Sequence, residues 1–139
     1  MRTVSQYLFI LFLAFISSSA KAQLDTFYYL KNFELQKSTY IGQPFSTLLN
    51  AMTEIQPNNI SSSGPFHNRQ IQTTTRFFFC GKEDRYGKNV IIMIIKWQDS
   101  ISTTDVKYYE NRNDFHFTNE ERSFFGSKII KDIIILRRM

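Results

Sequence analysis

The side chains of this chain that can carry chemistry are few: Cys80, His67, His116 and the acidic doublets Glu83-Asp84 and Glu120-Glu121. A thiol nucleophile needs a base or cation to hold it as thiolate, and a catalytic histidine needs a partner to set its proton. His67 and His116 lie in different segments, and neither has a second ligand at H-x-x-x-H spacing, so any metal site would have to be assembled by the fold. His67 reads as a solvated loop residue, and His116, between Phe115 and Phe117, as an edge or turn residue. Cys80 closes a Phe-rich run, where cysteine behaves as a small hydrophobe. Pairing with a histidine as nucleophile and bridging two copies are its alternatives. Glu83-Asp84 falls in an expected turn, and Glu120-Glu121 in the first turn of an expected helix, where acids complement the dipole. The phosphate-loop, dinucleotide, zinc and G-x-S-x-G patterns are missing, so neither cofactor nor metal is expected.

The N-terminus, MRTVSQYLFILFLAFISSSAKAQ, has the order of a secretory signal: Arg2, an apolar run from Tyr7 to Ile16, then Ala20-Lys21-Ala22 before the cut. The run is too short for a membrane span, which takes roughly 20 residues. Residues 1–22 are therefore expected to be removed, leaving 23–139 as a single domain in the periplasm or outside the cell, with no stable membrane span. The formal charge of +5 falls to +3 when Arg2 and Lys21 leave. Lys and Arg are scattered among acids, so no nucleic-acid partner is expected. Arg76 to Phe79 and Lys107 to Tyr109 interleave basic and aromatic residues, but successive rings on a strand point both ways. One cysteine allows no internal disulfide, and the core must come from an aromatic-rich composition.

The elements follow from periodicity. Gln23 to Lys37 reads as a helix with Asp25 as N-cap, a ragged strand being the alternative since Phe27, Tyr28 and Tyr29 favour sheet. In "YIGQPFSTLLNAM", Gly42 permits a turn, Pro44 suits a helix start, and Phe45, Leu48, Leu49 and Met52 make one apolar helical face. An anion site at that helix start is the functional alternative. Asn58 to Asn68 reads as a loop, and Asn59-Ile60-Ser61 is a glycosylation sequon in a eukaryotic host. Ile71 to Cys80 and Asn89 to Trp97 read as strands joined through Gly81 to Lys88. Ser102 to Asn113 has helical spacing, and Thr118 with Glu121 forms a capping box for a helix over 119–125. Lys128 to Arg138 closes as a strand. Both Ile-rich strands fill two faces, so helices on both faces of the sheet, or a second copy on one, are expected to cover them.

These stretches together, "YIGQPFSTLLNAM", "IIMIIKW" and "FTNEERSFFGSKIIKDI", resemble small secreted proteins of unknown function from Bacteroidota. In that group a Y-I-G-[KQ]-P-F-x-x-L-L element precedes a polar loop and paired strands, and K-I-I-K-D-I ends the domain. The resemblance implies an envelope or secreted location and assigns no active residue.

The expected class is therefore α+β, with a small mainly antiparallel sheet of three or four strands and short helices packed against it. The expected role is a non-catalytic binding or interaction domain for an unknown protein or small ligand. Its candidate binding residues lie in the loop Ser61 to Asn68 and its flank (Ser63, His67, Arg69) and in the turn Glu83 to Lys88 (Arg85, Tyr86), since loops on a rigid sheet carry recognition. A small enzyme using Cys80 with a histidine, an inhibitor or immunity-type protein, and a homodimer packed through the Ile-rich sheet are the alternatives.

Overall fold

The computed structural model describes residues 25–139; the expected signal at residues 1–22 lies outside the described residues. Among these residues four α-helices pack on a four-stranded antiparallel sheet, an α+β architecture. The helices are α1 (Thr26–Leu35), α2 (Phe45–Ala51), α3 (Thr103–Arg112) and α4 (Asn119–Gly126). The strands are β1 (Asn59–Ser63), β2 (Ile71–Phe78), β3 (Ile91–Ser102) and β4 (Ile130–Arg137), in the order β1-β2-β3-β4.

Local chemistry accounts for the helix ends. The Asp25 carboxylate accepts from the Phe27 and Tyr28 N–H groups, filling two of the donors that a helix start leaves open. Thr118 and Glu121 form the full capping box, and Glu121 is wholly buried there, also accepting from Asn113. In "YIGQPF", Gly42 takes φ +83°, and Pro44 stands just before α2 rather than within it. The Phe45 N–H donates to the Lys128 carbonyl at 2.9 Å, so this helix start is tied to the chain leading into β4 and not presented to an anion.

Register fixes which side chains share a face. Phe77, Met93 and Ile135 align across three strands, as do Thr75, Ile95 and Ile133. Together with Ile60, this face carries the main core. Leu30 of α1, Leu48 and Leu49 of α2, Val106 of α3 and Phe125 of α4 all join that same core, so the four helices lie on one side of the sheet. At its centre Trp97 stacks on Phe125 at 5.7 Å and meets Phe45 edge-on at 5.5 Å. The Trp97 indole N–H donates to Thr75 Oγ1, which in turn lies 2.7 Å from Ser62 Oγ.

Two expectations are corrected here. Of the two kinds of cover expected, helices on both faces are not found among the described residues; there the second face is closed only at one end, where the β2–β3 connection folds over Phe78, Val90 and Ile92. The segment read as a loop over 58–68 begins with strand β1, because its backbone pairs with β2 on one side and with residues 115–117 on the other. β3 also runs past Trp97 to Ser102, with register shifts against both neighbours.

Both edges of the sheet are occupied. Ile60 N–H donates to the Phe115 carbonyl and Phe117 N–H to the Asn58 carbonyl along β1, while Gly42 and Gln43 exchange bonds with Ile130 along β4. Farther along, the Ser62 N–H of β1 donates to Glu110 and the Ile135 N–H of β4 donates to Glu34. A glutamate from a helix thus fills an edge donor on each side.

Two consequences are measurable. A Cβ at Gly64 would stand 1.9 Å from the Ile71 carbonyl oxygen, which belongs to backbone and cannot step aside, so Gly64→Ala should destabilise the fold by roughly 2 kcal/mol or more. Gly42→Ala meets open space but a left-handed backbone, and should cost about 1 kcal/mol; equal denaturant midpoints for the two variants would contradict this ranking. Burial pushes the Glu110 carboxyl up, against the opposing bond from Ser62. A raised acid makes folding less favourable as pH rises from the ordinary glutamate range through the folded value. Glu110→Gln keeps an acceptor for Ser62 and should remove that part of the slope, just above the ordinary glutamate range, in urea titrations. An unchanged slope would show that Glu110 titrates as an ordinary surface acid.

Candidate functional site

The expected binding residues separate into two groups at opposite ends of β2. Ser63 ends β1 and, with Arg69, lines a shallow depression of about 320 Å³ at the β1–β2 turn. Its rim also holds Phe66, which is 92% exposed, and Lys107 of α3. His67 is exposed in the same turn and does not line the depression. Gln72 reaches Thr103 Oγ1 from the floor, and the Thr103 hydroxyl donates to the Arg69 carbonyl, so the turn is tied to the start of α3.

Arg85 and Tyr86 lie in the β2–β3 connection and differ sharply from one another. Tyr86 is 81% exposed, whereas Arg85 is 8% exposed. The Arg85 guanidinium donates to the Lys82 and Ile60 carbonyls and lies 5.6 Å from the Phe78 ring and 5.2 Å from the Phe115 ring. It clamps the connection beneath the edge of β1, and its donors are directed inward rather than toward a ligand. The Lys82 ammonium pairs with Asp114, which fastens the same connection to the chain between α3 and α4 and holds the Asp114 carboxyl below its ordinary range.

Cys80 sits half-buried beside Phe78, Val90 and Ile92. Burial pushes its thiol up, and the Asp84 carboxylate adds to that shift, against the weaker pull of Arg85 and Arg138. A reactive cysteine requires the reverse environment. Asn59 stands beside it, its amide donating to the Cys80 carbonyl while its backbone bridges His116 at the β1 edge. Among the described residues, His, Cys, Asp and Glu form no group of three that could hold a metal ion.

The second face of the sheet, which the sequence suggested only as a dimer seam and to which it gave no binding residue, is the remaining candidate surface. Arg76, Ile94 and Ile134 align across β2, β3 and β4, and so do Thr74, Lys96 and Asp132. Ile92 and Leu136 pair beside them. Past the covering connection the face opens into a depression of about 470 Å³ lined by Arg76, Ile92, Ile94, Leu136, Arg137 and Arg138. Leu136 is 45% exposed, and Ile94 and Ile134 are half-buried with no helix above them among the described residues. The Arg138 guanidinium donates to the Arg85 carbonyl and lies 5.9 Å from the Tyr86 ring, so Tyr86 borders this face. The unbroken isoleucines of β3 and β4 were the available signal. They required cover on two faces, and the fold supplies helices to one.

The Cys80 environment gives a direct check. Alkylation of the thiol by iodoacetamide near neutral pH should run several-fold slower than that of free cysteine, since less thiolate is present. A rate above that of free cysteine would contradict the raised thiol and favour a nucleophilic role.

Comparison with family models, with curated proteins and with solved structures finds no match for this chain.

Proposed function

We propose that this protein is an exported, non-catalytic binding domain that meets its ligand across the helix-free face of its sheet. The observation that carries the reading is the row Arg76, Ile94, Ile134 with Leu136 beside it, an apolar floor flanked by cations on a rigid four-stranded support. Isolated exposed leucines are ordinary on protein surfaces, but a contiguous uncovered patch on a sheet marks an interaction site. The raised Cys80 thiol supports a binding role over thiol catalysis. The two turns at the ends of β2 extend the same surface or serve a second contact, and Tyr86 is the residue that borders the patch.

No helix among the described residues is long and apolar enough to cross a membrane. Export rests on the signal pattern of residues 1–22, and a location in the periplasm or outside the cell follows from it. A photoreactive amino acid placed at position 94 or 136 in producing cells tests both parts. The expected result is a discrete crosslinked product outside the cytoplasm, on a chain beginning at Gln23, and no such product from position 54 on the exposed helical side. Equal crosslinking from all three positions, or none, would contradict the face as the binding surface; a chain that keeps residues 1–22 would contradict export by cleavage.

A further inference from the structure

We infer that the helix-free face receives an acidic amphipathic helix from another protein, a deepening that rests on the reading of this face as the binding surface. Geometry limits how a partner can approach. Addition of a strand at the edge is blocked along β1 by residues 115–117 and the Glu110 carboxylate. Along β4 it is hindered by Gly42 and Gln43 bonded at Ile130, and by Asp132 and Glu34, whose carboxylates take the Ile133 and Ile135 N–H groups. These contacts favour an approach across the face. Three strands span roughly 10 Å at the usual strand separation, about the width of one α-helix. The strip from β2 to β4 thus accommodates a single helix running with the strands, its apolar stripe over Ile94, Ile134 and Leu136.

Charge sets the rest. Arg76 flanks the floor on the β2 side and Lys96 lies one step along β3; neither is in an ion pair among the described residues. Arg138 stands at the opposite end, held by its bond to the Arg85 carbonyl. The strand acid on this face, Asp132, is already engaged by Lys37 at 2.7 Å, which holds its carboxyl below the ordinary range. Glu83 and Asp84 belong to the covering connection, where their carboxylates turn back toward Gly81. A second copy stacked on this face would bring Arg76 and Lys96 toward their own mates, and like charges in contact disfavour that pairing. A membrane surface calls for apolar side chains that project beyond their basic neighbours. Here the floor is half-buried, and the projecting rings, Phe66 and Tyr86, stand at opposite ends of β2. A helix with Leu on one face and Glu on both flanks satisfies the floor and the cations together.

The test uses the purified protein and a designed peptide of about 14 residues, with Leu at i, i+3, i+4 and i+7 and Glu at the flanking positions. A second peptide carries Lys in place of each Glu. Titration followed by methyl NMR should shift Ile94, Ile134 and Leu136 and leave Ile95 and Ile133 in place. The double variant Arg76→Glu with Lys96→Glu, checked for an unchanged thermal midpoint, should bind the Glu peptide at least about tenfold more weakly and the Lys peptide correspondingly better. Equal binding of both peptides by the unmodified protein would overturn the inference, as would shifts confined to other surfaces. So would flotation with phosphatidylglycerol vesicles without peptide binding, or a dimer sealed through Ile94. Crosslinking from position 94 in cells with no peptide binding would refute the partner's chemistry and leave the binding-domain reading standing. Failure of both would remove both.

Discussion

The fold depends on Trp97 and on the side of the sheet to which it points. Its indole lies at the meeting of Phe45 from α2, Phe125 from α4 and Phe77 from β2, and its N–H is satisfied by Thr75 within the same layer. A ring that large, 3% exposed, gathers the helices to itself. α2 and α4 pack together around it, α3 joins through Val106, and α1 closes the β4 side through Leu30. Once the four described helices are committed to this face, few of the described residues remain for the other. The β2–β3 connection covers one end of it, and the rest is left as an apolar strip with Arg76 and Lys96 alongside.

That asymmetry gives weight to the contacts along the sheet edges. An open sheet with free edges and a bare apolar face would pair with other chains indiscriminately. Segment 115–117 and the 42–45 turn occupy the outer bonds of β1 and β4, and Glu110 and Glu34 take donors beyond them. The carboxylates act as stoppers, and in Glu110 the burial that this requires raises the carboxyl. In the proposed reading, the second face is then the direction of association, and its cations select what can use it.

Much of this was legible from the residues, and the part that was not has physical causes. The capping box at Thr118 and Glu121, the Asp25 cap and the apolar face of Phe45, Leu48 and Leu49 are local chemistry, and each reads directly from spacing. Strand β1 was hidden because Asn59 and its three following serines carry no apolar alternation; only Ile60 enters the core, and the strand exists because β2 and residues 115–117 pair with it from both sides. The extension of β3 through Gln98, Asp99 and Ser100 was hidden for the same reason. The isoleucine runs announced two buried faces, and one of the two proved to be closed only in part. Arg85 looked like a surface residue of a turn, yet its guanidinium serves two backbone carbonyls and two rings in the interior, an arrangement visible only after folding.

The most direct measurement is the accessibility of methyl groups on the two sides of the sheet in the free protein, read as line broadening by a neutral gadolinium chelate. Ile94, Ile134 and Leu136 should broaden strongly, while Ile95, Ile133 and Ile135, their neighbours in β3 and β4, should stay sharp. Equal protection of both sets would show that the second face is covered in the free protein, and would contradict a sheet with one face held for a partner.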